Sequence, residues 1–357
     1  MKVETIAERV SEAWPHHPLI ALGYLLGCLA GSALFLSVLG LVLIYAERKI
    51  AAHFQCRLGP MRVGWHGTLQ TIADTLKLVL KEDIVPSQTD RFLHLIAPFL
   101  CLLGTVLAFM VLPMAPWLQI SDLNIGVLYI TAISGLGVLG ILLGGWSSNN
   151  KWSLLGAMRA GAQIISYEIS ATLALLVVVL FSGSLQLSEI VQSQASGWWI
   201  WRAHGVGLVA FVIFLIASTA EINRTPFDIP EGESELTAGF HTEYSGIRFA
   251  FFFLSEFISL FVVAGLTATL FFGGWMPFHI GAWATFNQIM DFIPPLFWFF
   301  SKTALIVFVI MWFRWTFPRL RVDQLMKLEW KFLLPLGFAN LFVASVVILE
   351  NWYFFPK

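Results

Sequence analysis

The sequence predicts an all-α, polytopic membrane protein with about eight transmembrane helices and an amphipathic helix in its first cytoplasmic loop. Three observations carry that expectation. Of the 357 residues, 58% are hydrophobic and 12% charged, and soluble domains carry roughly twice that charged share. Apolar windows of about 20 residues, the length that crosses a bilayer core of about 30 Å, recur along the whole chain. The connections between them leave no room for a folded soluble domain, and no internal repeat or low-complexity tract is present.

Residues 1–18, MKVETIAERVSEAWPHHP, read as an N-terminal surface segment ahead of a single transmembrane domain, 19–357. Acids interrupt the segment and it lacks a continuous apolar core, so it does not resemble a cleavable signal peptide. Val3, Ile6, Val10 and Trp14 at helical spacing suit a short helix on the membrane surface, with a frayed tail as the alternative. The apolar windows follow near 19–45, 93–113, 124–145, 163–184, 206–222, 247–272, 292–316 and 332–354. An even number of spans places both termini on one side. Of the 21 Lys and Arg residues, 16 fall in or beside the connections after spans 1, 3, 5 and 7, and four on the opposite side. The positive-inside rule puts those four connections in the cytoplasm and both termini on the external side.

The first connection, 46–92, is too long for a plain loop. Within it Leu69, Ile72, Leu76, Val79 and Leu80 share one helical face, and Gln70, Asp74, Lys77 and Lys81 the other. Because the polar face mixes signs, packing against the bundle beneath a soluble partner is expected ahead of lying flat in the interface. The net charge of −1 points to neither nucleic acid nor an acidic partner. Cys28, Cys56 and Cys101 are far apart and form no CxxC. No metal, disulfide framework or iron–sulfur centre is therefore expected in this chain, and any redox centre belongs to a partner or a diffusible ligand.

Of the charges within the apolar windows, four need explaining: Glu168, Glu221, Glu256 and Lys302. A charge at the bilayer centre costs at least about 2.5–3.5 kcal/mol on insertion scales, so such groups face protein or water. Two readings stand. Glu256 and Lys302 pair to hold two helices together, or the titratable groups line a wet path along which protons move.

Six acids and a single base, Arg224, crowd into EINRTPFDIPEGESELTAGFHTEYSG, residues 221–246. Helix capping explains some of them: Pro230 suits a first helical position, and Asp228, Glu231 and Glu233 complement the dipole. Capping leaves out Glu221, Glu235 and Glu243. Glu231 and Glu235 share a face if the segment is helical, and Glu231, Glu233 and Glu235 do if it is extended. Carboxylates that close titrate as a coupled set with some pKa values raised, which makes a proton reservoir. A cation site is the competing reading, although no EF-hand spacing is present.

Three further stretches set arginines in polar surroundings beside apolar helix ends. They are ERKIAAHFQCRLGPMRVG (47–64), GWSSNNKWSLLGAMRAGAQIISYE (145–168) and RWTFPRLRVDQLM (314–326), with Arg159 in the second and Arg319 and Arg321 in the third. For the first, positive-inside anchoring is the plainer account. The other two suit a pocket for an amphipathic molecule with a polar head and a long apolar tail.

Together these stretches resemble the membrane-embedded H subunit of NADH:quinone oxidoreductase, respiratory complex I, whose mitochondrial equivalent is NADH dehydrogenase subunit 1. The resemblance covers about residues 19–335. It rests on ERK (47–49), QCRLGP (55–60), LQTIADTLKL (69–78), the acidic segment, Lys302–Thr303 and FPRLRVDQLM (317–326).

It implies a non-redox subunit of a proton-translocating enzyme, a translocase of a cell inner membrane. Such a subunit walls the cavity where quinone, entering from the bilayer, takes electrons from an iron–sulfur cluster of a neighbouring hydrophilic subunit. Antiporter-like and small membrane subunits would be the other partners. On that resemblance Glu47, Arg48, Arg57, Arg62 and Asp74 line or support the quinone entrance, with Phe227 and Arg319 near the cavity wall. Glu168, Glu221, Glu231, Glu233, Glu235 and Glu256 would form the proton relay.

The chain departs from the family at Met61, Trp65 and Thr71, where Asn, Pro and Pro are usual. Those changes touch turns of the first loop and leave its charges intact. Two alternatives remain: the equivalent subunit of an ion-pumping complex that oxidises hydrogen, formate or reduced deazaflavin, and a stand-alone secondary transporter. The one-sided crowding of polar residues speaks against the transporter.

Overall fold

Each of the eight predicted windows becomes a helix in the computed structural model, which describes residues 5–230, 232–279 and 283–353. The chain begins with α1 (Ile6–Ala13), α2 (Pro18–Phe54) and α3 (Gln70–Leu80). Next come α4 (Arg91–Val111), α5 (Gly126–Ser147) and α6 (Lys151–Ser182). Two short helices, α7 (Leu187–Gln192) and α8 (Trp199–Arg202), lead into α9 (Val206–Glu221) and the one-turn α10 (Glu233–Leu236). Then follow α11 (Gly246–Phe271), α12 (Ala284–Asp291), α13 (Pro295–Thr316) and α14 (Val322–Leu328). A π-helical stretch, Glu329–Leu333, carries α14 into α15 (Leu334–Leu349).

Seven of these helices are long and apolar enough to cross a membrane: α2, α4, α5, α6, α11, α13 and the continuous rod Val322–Leu349. The eighth window is α9, apolar but only 16 residues long, about 24 Å at 1.5 Å per residue.

Local chemistry sets the helix ends. Asp90 accepts from the Phe92 and Leu93 amides at 3.1 and 3.2 Å and so starts α4, and Asn150 accepts from Trp152 at 2.9 Å to start α6. Gly183, in the left-handed region at φ 75°, closes α6. Two helices outrun their apolar windows. α2 continues through Glu47, Arg48 and Lys49 to Phe54, and α6 begins at Lys151, because these polar stretches remain good helix formers after the hydrophobicity ends.

α6 occupies the centre, against α5, α9 and α15, while α11 packs on α4 and α13. Small residues let the helices close up. A Cβ on Gly140 of α5 would stand 2.5 Å from the Cys101 sulfur of α4.

At the N-terminus the helix forms, held by a capping box between Thr5 and Glu8. Its Ile6 and Ala7 amides donate to the Gln119 and Ile120 carbonyls, which ties α1 to the connection between α4 and α5. α3 exists as expected, but its apolar face does not pack on the bundle. Leu69, Ile72, Leu76, Val79 and Leu80 are all exposed, while Thr71 is buried. The side turned inward carries Thr71 and Asp74; Asp74 pairs with Arg48 of α2, and the helix rests on α2 and α11. That leaves the apolar face free for the membrane interface.

Candidate functional site

A cavity of about 730 Å³ lies among α2, α4, α5, α6, α9, α11 and α13. Its lining on α11 runs from Phe249 to Leu266, about 25 Å at 1.5 Å per residue. Most of the wall is apolar. One end reaches Arg57 and Pro60, at the end of the bundle where the basic connections gather (the basic end).

A buried ion network crosses this cavity. Glu47, on the polar extension of α2, is 7% exposed and accepts from Arg224 Nη1 through Oε2 at 2.7 Å and from Arg314 of α13 through Oε1. Arg224 is 2% exposed. Its Nε pairs with Glu256 Oε1 of α11 at 2.8 Å, and its guanidinium lies 4.6 Å from the Phe257 ring centroid. Two guanidinium groups thus meet two carboxylates, an arrangement that burial tolerates only with both signs present.

The turn after α9 delivers Arg224. The Gln163 amide of α6 pins that turn by donating to the Ala220 and Phe227 carbonyls, each at 2.8 Å. Asn223 takes the left-handed backbone the turn needs, at φ 54°.

A second pair of acids lines the same cavity. Glu168 of α6 and Glu221 at the end of α9 both line it. Ser134 Oγ of α5 donates to the Thr131 carbonyl at 2.8 Å and lies 3.4 Å from Glu168 Oε1.

Of the residues expected at the site, Glu47, Arg48, Arg57, Glu168, Glu221 and Glu256 line this one cavity. Asp74 stands behind it, paired with Arg48 and accepting from Gln70 at 3.1 Å. Burial pushes its carboxyl up, but hydrogen bonds from Arg48 and Gln70, with the charges of Arg48 and Lys77, hold it below the usual carboxylate range. Arg62 is exposed and off the lining.

Phe227 and Arg319 do not reach the wall where they were expected. Phe227 is buried 5.5 Å from the Tyr167 ring. Arg319 donates to the Ile229 carbonyl at 3.3 Å and lines a separate cavity of about 230 Å³ with Arg159 and Glu235. There Arg159 Nη1 binds Glu235 Oε2 at 2.8 Å. That hydrogen bond, with the charges of Arg319, Arg159 and Arg321, keeps the Glu235 carboxyl below the usual range, the opposite of a raised reservoir acid. Glu231 lies outside the described residues. Glu233 opens α10 behind Gly232, so the helix starts after Pro230 and not at it; the Glu233 side chain also falls outside what the structure describes.

Lys302 does not pair with Glu256. Its Nζ donates to the Phe272, Gly274 and Met276 carbonyls at 2.7, 3.0 and 2.6 Å, at the far end of α11. α11 and α13 are antiparallel, so similar depths counted from their own starts place Glu256 and Lys302 near opposite ends of the bundle. Sequence reasoning also missed Arg224 and Arg314 as partners of Glu47. The available signal was a lone base in a run of acids, and an arginine in the last turn of a span.

The sequence matches the NADH dehydrogenase family over residues 28–345. It is 52% identical over 318 residues to the H subunit of the NADH-quinone oxidoreductase of Bacteroides fragilis, covering 89% of each chain. The corresponding H subunit from Phocaeicola vulgatus is 50% identical over 318 residues, again 89% of each chain. That of a Geobacillus species is 49% identical over 321 residues, 89% of this chain and 92% of the other.

Proposed function

Because this chain belongs to the NADH dehydrogenase family, as a membrane-embedded H subunit of NADH-quinone oxidoreductase, we propose that its large cavity receives the quinone and that the carboxylates along it carry the proton response to quinone reduction. The observation that carries this reading is that Glu47, Glu168, Glu221 and Glu256 all line one long, largely apolar cavity. Its 730 Å³ is of the size of small-molecule sites, which run to about 1,000 Å³. Apolar walls suit a long hydrocarbon tail, and Arg48 and Arg57 at the basic end suit a polar head.

Reducing a quinone to a quinol takes two electrons and two protons. The electrons come from an iron–sulfur cluster of a hydrophilic partner docked on the basic end, which faces the cytoplasm; both termini face outside. This chain's part is to bind and orient the molecule and to hold protons. Negative charge arising on the reduced head competes with Glu47 and Glu256 for Arg224 and Arg314. A carboxylate that loses its guanidinium partner takes up a proton more readily. Glu168 and Glu221 continue the row, and Glu231, Glu233 and Glu235 form its acidic approach on the loop. The proton response then passes to antiporter-like membrane subunits alongside.

Two substitutions in the assembled complex test this. Glu256→Gln keeps the shape of the Arg224 contact but removes the titrating group, so quinone reduction and pumping fall at least about tenfold, some 1.4 kcal/mol, with assembly intact. Normal rates and pumping would remove Glu256 from the relay. Arg57→Ala raises the apparent KM for quinone, and an unchanged KM would take Arg57 off the entrance.

A further inference from the structure

The stretch that joins α14 to α15 holds an acid that none of the chemistry above uses. Glu329 is 1% exposed and opens the π-helical stretch, whose wide turn is closed by the Leu334 amide donating to the Glu329 carbonyl. π-Turns inside α-helices concentrate at functional sites. Leu325, Glu329, Leu333 and Gly337 form the buried edge of this rod. A carboxylic acid therefore occupies one position of an otherwise apolar edge.

That edge faces α6. Ser170 Oγ donates to Glu329 Oε1, and the Tyr167 hydroxyl donates to the Leu325 carbonyl, one turn earlier, at 3.1 Å. Glu329 Oε2 has no hydrogen-bond partner among the described residues, and no ion pair there reaches the group. Tyr167 is the titratable side chain that meets it from α6. Lys327 and Lys331, two residues to either side on its own stretch, are exposed and lie on the other side of the rod.

An ionised carboxylate in this place would have one donor and no counter-ion. Isolated charges in apolar surroundings are costly enough that the group takes a proton instead. We propose that Glu329 is a proton-binding site in its own right, separate from the carboxylates of the cavity, and that it carries its proton in the resting protein. α6 divides the two systems: Glu168, Ala171 and Leu175 face the cavity, while Tyr167 and Ser170 face Glu329. The neutral acid keeps the Ser170 hydrogen bond on one oxygen and holds the proton on the other. The site also borders the turn that delivers Arg224, because the Tyr167 ring lies 5.5 Å from Phe227. It does not depend on what occupies the cavity.

Infrared difference spectroscopy on the assembled complex at neutral pH tests the proposal. Subtracting Glu329→Gln from the unsubstituted protein should leave the C=O stretching band of one protonated carboxyl, and that band should move to lower frequency in D2O. Loss of carboxylate stretching bands instead would overturn the proposal. Ser170→Ala provides a milder second reading should the glutamine variant fail to assemble. Removing the donor should raise the frequency of the same protonated band. A change confined to carboxylate bands, or no change in the carboxyl region, would overturn it.

Discussion

The two ends of the bundle satisfy their buried cations differently. At the basic end Arg224 and Arg314 meet Glu47 and Glu256, which are titratable. At the opposite end Lys302 is held by three backbone carbonyls and lies 4.8 Å from the Trp198 ring. Arg202, 2% exposed, sits 4.9 Å from the Trp199 ring and 5.6 Å from that of Tyr353, and donates to the Ser193 carbonyl at 3.2 Å. Carbonyls and rings neither gain nor lose protons. In the proposed mechanism the far end is therefore scaffolding, whereas the basic end changes partners when a charge arrives; Glu47, Glu256 and Arg314 line the large cavity, and Lys302 and Arg202 do not.

The largest effect should come from breaking the titratable end. Arg224→Met strands Glu47 and Glu256 without their shared partner, and removing one member of a buried pair costs about 3–5 kcal/mol. The subunit should fail to accumulate in the complex, as read by native electrophoresis of solubilised membranes. Glu256→Gln comes next, with assembly kept and turnover lost.

Lys302→Met removes a charged donor from three carbonyls and should lower thermal stability by about 1–3 kcal/mol. Turnover per assembled complex should hardly move; a specific loss of turnover would make the far end more than scaffolding.

The smallest effect concerns the acidic loop. Glu235 has a folded-state pKa below its usual value, held there by Arg159. Its contribution to loop attachment is therefore complete above the ordinary carboxylate range and is lost only as pH falls through the lowered value. The pair is half exposed, so its worth is under about 1 kcal/mol. The hydrogen-exchange protection of residues 232–238, taken relative to the intrinsic rate at each pH, should stay flat from pH 8 to 5 and fall only below about pH 4, the usual carboxylate value. Arg159→Ala should move that onset upward.

Most of the fold was legible because bilayer-length apolar windows leave little freedom: every window became a helix, down to the short α9. What the windows could not convey was where helices go on after hydrophobicity ends. Glu47 and Arg48 read as the start of a loop, yet they lie on α2, and that is why Glu47 points into the bundle. Six of the residues named from the sequence line one cavity, but their pairings were not legible. Which base meets Glu256 depends on helix direction and on a turn fixed by Gln163, both long-range properties. The facing of α3 was hidden likewise: its amphipathic pattern was plain, but Thr71 and Asp74, not the apolar residues, turn towards the bundle.

The most direct test of the account is photoaffinity labelling of the assembled complex with an azido-quinone, followed by peptide mapping of this chain. Labels on α2 near Ala51 and on α11 between Phe249 and Glu256, suppressed by excess quinone, are the predicted result. Labels confined to partner subunits, or to the outward faces of α5 and α15, would contradict it.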